Sequence, residues 1–75
     1  MVDHLSNIKT GKTVEVVRFD AGYRAMKRLN DMGIIPGEIL EIIKNSVTCP
    51  VIVKVKGTKL VIGRGLAMKV IVEEV

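Results

Sequence analysis

Three features of this 75-residue chain carry residue types that could do chemistry: Gly11-Lys12-Thr13, the stretch Gly63-Arg64-Gly65, and the single residues His4 and Cys49. Gly11-Lys12-Thr13 ends like a phosphate-binding loop, in which backbone amides cradle phosphates and the lysine meets the terminal ones. The leading glycine of that motif would fall at position 6, which is Ser6. The residues after Thr13 also have the pattern of a strand, where phosphate binding needs a helix N-terminus. The stretch reads as a turn entering a strand. Gly63-x-Gly65-x-x-Met68 imitates a dinucleotide fingerprint with methionine at its third small position, and the chain has no room for the supporting βαβ unit.

His4 and Cys49 occur once each, with no second ligand at a recognised spacing. They are weak candidates for a metal site assembled by the fold, or between molecules, with a carboxylate. The plainer reading makes His4 a solvated residue near a frayed terminus, and makes Cys49, between Thr48 and Pro50, a loop or half-buried thiol. The same scarcity leaves no nucleophile–base pair to propose. A lone cysteine closes no internal disulfide, which fits a reducing cytosol. The start, Met1 to Ser6, has no basic stretch leading into an apolar run, and no apolar segment approaches the ~20 residues of a membrane helix. The expectation is a cytoplasmic binding protein, without cofactor and without catalysis.

The elements that must position these residues are legible from periodicity. Thr13-Val14-Glu15-Val16-Val17-Arg18 alternates as a half-buried strand should, with Val14 and Val16 inward. Asp20 is a fitting N-cap for a helix over residues 21–31. Gly22, Ala25, Met26, Leu29 and Met32 recur there at helical spacing before Gly33 ends it and Pro36-Gly37 turns the chain. Glu38 to Lys44 reads as a second strand, Asn45 to Pro50 as a loop. Val51 to Lys56 alternates cleanly, so that Val51, Val53 and Val55 oppose Lys54 and Lys56. Gly57-Thr58 fits a two-residue hairpin loop into Lys59-Leu60-Val61-Ile62. A helical turn near residues 64–67 precedes a last strand, Met68 to Val72. Five strands with one short helix describe a mainly β, small, partly open barrel in a single domain, residues 1–75.

Composition agrees. Twelve Val and nine Ile against five Leu weight the chain toward strands, because branched side chains are stiff and pack well on a pleated surface. The net charge of +4 is unevenly spread. Residues 1–41 carry six basic and six acidic side chains, residues 42–72 carry Lys44, Lys54, Lys56, Lys59, Arg64 and Lys69 with no acid, and Glu73 and Glu74 follow. An acid-free block of this kind suits an acidic protein surface, a nucleic acid or an anionic membrane. Phe19 and Tyr23 are the only aromatics, and both precede that block. Single-strand binders stack bases on aromatic platforms, so nucleic acid stays the alternative reading and no nucleic-acid partner is expected. Proline-rich peptide recognition needs an aromatic groove and is disfavoured for the same reason.

The run Tyr23-Arg24 … Leu29-x-x-Met32-Gly33-Ile34-Ile35-Pro36-Gly37, then Ile39 … Ile42, Val53-x-Val55-Lys56-Gly57, and Leu60-x-Ile62-Gly63-Arg64-x-Leu66-Ala67 resembles the FeoA family of ferrous iron transport proteins. A related module closes metalloregulators of the diphtheria-toxin-repressor type, and a stand-alone relative of that module is a further alternative. The resemblance implies an SH3-like barrel, and an accessory role beside FeoB, a membrane permease with a cytoplasmic GTP-binding domain. Docking on that transporter is then expected of an apolar spot at Ile34, Ile35 and Pro36 and of a basic face at Lys54, Lys56, Lys59 and Arg64. Adjacent Ile34 and Ile35 point to opposite sides in an extended segment, so one is expected inside and the other free for a partner. Arg64 either braces the last turn on local carbonyls or reaches the partner. Open strand edges also leave weak self-association as a further expectation.

Overall fold

The computed structural model describes residues 1–75. Six antiparallel strands form one sheet: β1 (Val2–His4), β2 (Thr13–Phe19), β3 (Ile39–Lys44), β4 (Val51–Val55), β5 (Thr58–Ile62) and β6 (Val70–Glu74). Helix α1 (Tyr23–Asp31) joins β2 to β3, a single 3-10 turn at Leu5–Asn7 follows β1, and the four-residue α2 (Arg64–Ala67) precedes β6. The spatial order β1-β6-β2-β3-β4-β5 leaves β1 and β5 as the two edges. The mainly β expectation holds, with six strands in place of about five.

The additional strand is β1. Its Val2, Asp3 and His4 pair with Glu73, Val72 and Ile71 of β6. The His4 Nδ1–H donates to the Met68 carbonyl at 2.6 Å, and Leu5 directly after it is fully buried in the core. The frayed terminus expected for this segment is therefore corrected to a paired edge strand. Three residues are too few to show a period, which is why alternation did not reveal it. Asp3 accepts from Asn7 Nδ2 at 3.0 Å and from the His4 amide at 2.7 Å, and these bonds hold its carboxyl below the usual carboxylate value.

Helix α1 starts two residues later than its pattern suggested, with Gly22 in place of Asp20 as N-cap. The Asp20 amide donates to the Lys69 carbonyl at 2.7 Å, extending the β2–β6 ladder and holding Asp20 in the sheet. At the other end, the Gly33 amide donates to the Asn30 carbonyl and the Ile34 amide to the Leu29 carbonyl, both at 2.9 Å. This pair of bonds is a Schellman closure, and Gly33 at φ +86° occupies the left-handed position it requires. Leu29 and Ile34, the two residues such a closure brings together, are both fully buried.

The core comprises 15 residues drawn from every strand except β1, with Leu5, Ile8, Leu29, Ile34 and Ala67 from the connecting segments. Two places where consecutive branched residues blur the alternation, Val16-Val17 and Ile42-Ile43, coincide with register shifts between Val16 and Arg18 and between Ile42 and Lys44. A bulge supplies the extra residue there, letting the inward series resume after it. The hairpin between β4 and β5 is also shifted by one residue from expectation. Val55 faces Thr58, so the loop is Lys56-Gly57, at φ +50° and +79°. Two successive positive φ values are those of a type I′ turn, whose twist suits a hairpin better than a loop with glycine first.

Candidate docking surface

Consecutive Ile34 and Ile35 part company, as an extended segment demands. Ile34 is 0% exposed and belongs to the core, whereas Ile35 is 43% exposed. Ile34 is thereby corrected from a contact residue to a structural one. Ile35 and Pro36 stand on a turn that the Glu38 amide closes on the Ile35 carbonyl at 3.0 Å, and the Gly37 amide pins it to the Val16 carbonyl at 2.7 Å.

Twenty residues further on, the β4–β5 hairpin presents its other ingredient. Val51, Val53 and Val55 point inward and Lys54 outward, with Lys54 directly opposite Lys59. No carboxylate lies within ion-pair distance of either lysine. On the same outward face Ile52 is opposite Val61, which is 62% exposed. Lys56, at the hairpin tip, pairs with Glu38 at 3.4 Å, and the Glu38 side chain is only 14% exposed. That ion pair ties the hairpin tip to the turn carrying Ile35 and Pro36, so two pieces distant in sequence border one another.

Arg64 belongs to a different arrangement. Its Nη1 donates to Asn45 Oδ1 at 2.7 Å, to the Ser46 carbonyl at 2.7 Å and to the Cys49 carbonyl at 3.0 Å, and its Nη2 donates to the Ser6 carbonyl at 3.0 Å. Asn45 Nδ2 in turn donates to the Ser6 and Ile8 carbonyls at 3.0 and 2.6 Å. The guanidinium thus satisfies carbonyls of the 45–50 loop and the 3-10 turn, with both of its terminal nitrogens engaged inside the molecule. Its expected alternative to docking, bracing the last turn, is corrected in its target: the braced segments are remote in sequence. Asn45 is the member of this network that sequence reasoning missed, since nothing in its spacing pairs it with Arg64.

Gly11-Lys12-Thr13 resolves as a turn, and Gly63-Arg64-Gly65 opens the short helix α2. The Lys12 amide closes on the Lys9 carbonyl at 3.3 Å, β2 begins at Thr13, and Lys12 pairs with Glu74 at 3.8 Å. His4 and Cys49 are not brought into any group of three His, Cys, Asp or Glu side chains. No helix is long and apolar enough to cross a membrane.

A FeoA domain family model matches residues 4–74. The chain belongs to the FeoA family. This FeoA chain is 49% identical over 70 residues, 93% of its length and 84% of the other's, to a Methanocaldococcus jannaschii protein named "Putative Fe(2+) transport protein A". It superposes on the crystal structure of an iron uptake regulatory protein (FeoA) with a TM-score of 0.95 at 33% identity, covering 100% of both chains. Against Thermoplasma acidophilum IdeR, a longer protein, the TM-score is 0.87 at 24% identity, over 99% of this chain and 34% of that one. The last likeness is one of fold, and with the others it identifies the FeoA sheet as SH3-like.

Proposed function

We infer that this chain is a cytoplasmic accessory of ferrous iron uptake that docks on the cytoplasmic GTP-binding part of a FeoB-type transporter and supports or regulates transport without chemistry of its own. Family membership supplies the pathway. The surface is supported by one observation above others: the Lys56–Glu38 ion pair joins the Ile35–Pro36 turn to a hairpin whose Lys54 and Lys59 lack internal partners. An apolar contact at Ile35 would provide most of the affinity, and the lysines would speed and orient association with an acidic surface. Ile34, committed to the core, anchors the turn that carries Ile35, and Arg64, committed to internal carbonyls, lies outside the proposed surface.

The reading is tested by pull-down and titration with the soluble cytoplasmic part of the cognate transporter. Ile35→Asp and the double variant Lys54→Glu/Lys59→Glu should each weaken binding about tenfold or more while remaining folded. Undiminished binding by both variants would remove this surface from the interface. Tight, steeply salt-dependent binding to RNA or DNA, with no transporter binding, would favour the nucleic-acid alternative.

A further inference from the structure

Strand β5 is a sheet edge whose exposed side carries an unusual combination of groups. In a two-residue hairpin the residues flanking the loop exchange both backbone hydrogen bonds, and successive cross-strand pairs alternate between bonded and non-bonded. The loop Lys56-Gly57 makes Val55 and Thr58 the bonded pair, followed by Val53 with Leu60 and Val51 with Ile62. Lys54 with Lys59 and Ile52 with Val61 are then the non-bonded pairs. Their members on β5, Lys59 and Val61, aim their backbone N–H and C=O groups away from β4, toward the open edge. The edge therefore offers a run of main-chain donors and acceptors beside the outward side chains of Lys59 and Val61.

Two features separate this edge from an ordinary protected one. Non-bonded pairs bring side chains closest, and like charges placed directly opposite destabilise a sheet, yet Lys54 and Lys59 occupy such a pair; Glu41 of β3, across from Lys54 on its other side, stands beyond ion-pair distance, and Lys59 has no acidic cross-strand neighbour. Beside them Ile52 and Val61 form an apolar step, with Lys44 across from Ile52 on β3. Violations of local rules tend to sit where function requires them. The charge also selects the occupant: β5 pairing with β5 of a second copy would bring the lysines of both together, whereas a carboxylate-bearing strand would relieve their repulsion.

We propose that β5 takes up an extended acidic segment of a partner protein as a seventh strand, with main-chain bonds to Lys59 and Val61, a carboxylate beside Lys59 within reach of the long Lys54 side chain, and an aliphatic side chain beside Val61. This deepens the docking reading by stating how a partner engages the basic face, and it rests on that reading only for the identity of the partner.

The test uses the full chain, labelled with nitrogen-15, and a capped synthetic peptide of the repeat Glu-Thr-Val-Thr, which places Glu and Val in turn along one face as Lys59 and Val61 require. Hydrogen exchange at the Lys59 and Val61 amides should slow at least tenfold on saturation with peptide, while Leu60 and Ile62, already bonded to β4, change little. Lys59→Glu should weaken peptide binding about tenfold and at the same time raise the melting temperature, because it converts the Lys54 repulsion into an attraction. A merely structural lysine would not separate the two readouts in that direction. The same peptide with Lys in place of Glu should not bind. Three results overturn the proposal: unprotected Lys59 and Val61 amides at saturation, unchanged affinity in Lys59→Glu, or protection of these amides in the peptide-free protein that rises with its own concentration, which would make a second copy the occupant. Peptide capture without transporter binding would defeat the docking reading alone. Transporter binding that depends on Ile35 but leaves the Lys59 and Val61 amides unprotected would defeat strand addition alone.

Discussion

Arg64 shows how one side chain can hold together segments that local structure leaves apart. Its guanidinium, with Asn45 beside it, serves carbonyls at Ser6, Ser46 and Cys49, groups in irregular backbone with no ladder to bond them. Removing the donors leaves Asn45 Oδ1 and the Cys49 carbonyl without a partner, while the Ser6 and Ser46 carbonyls keep Asn45 Nδ2 and the Cys49 amide, so Arg64→Ala should cost about 1–3 kcal/mol in a denaturant titration. Arg64→Lys should recover only part of this, because a single ammonium cannot reproduce a planar fork serving four acceptors. The identity of Arg64 stood out in the sequence, but its acceptors did not. They lie 15 to 58 residues away, and no spacing rule links a side chain to carbonyls at that separation. The Ile34–Ile35 pair was easier to read, since only the assignment of inside and outside was open.

At the scale of elements, the exit from α1 is where sequence and structure agree most closely. Gly33 follows the last helical residues, Ile34 returns to Leu29, and Pro36-Gly37 turns the chain into β3. Gly33→Ala should destabilise the protein by about 1–2 kcal/mol, since a Cβ at φ +86° meets the left-handed penalty while open space around it offers no contact in return. Thermal unfolding would measure this, and an unchanged midpoint would contradict the closure described. Elsewhere the elements departed from their patterns for tertiary reasons. Asp20 resembles a cap by type, yet its amide is drawn into the β2–β6 ladder, and α1 begins at Tyr23. The hairpin loop moved by one residue because Lys56 accepts a positive φ that a periodic reading would not assign to it.

At the scale of the whole molecule, the amino-terminal segment fills a place in the core that no distant part of the chain advertises. β1 covers the outer side of β6, and Leu5 beyond it is fully buried. Leu5→Ala should therefore cost about 2–5 kcal/mol, measured by chemical denaturation. A domain of this size has only about 4–11 kcal/mol in total, so that loss would unfold a sizeable fraction at elevated temperature. The charge pattern acquires a geometry at the same scale. Four of the six charges of the acid-free block divide into Lys56, paired at the hairpin tip with Glu38, Arg64, engaged by internal carbonyls, and Lys54 with Lys59, left facing each other on the outward face beside an open edge.

By itself the sequence determined the mainly β class, the single helix and its exit, the inward valines of β4 and the family, because these rest on periodicity, turn chemistry and motifs that are local in the chain. Only the tertiary structure decided which strands lie at the edges, what Arg64 holds, and that Lys54 meets Lys59 across an unneutralised pair. Each of those depends on the register between segments, and register is set by how fifteen buried side chains pack together, not by any one stretch of residues.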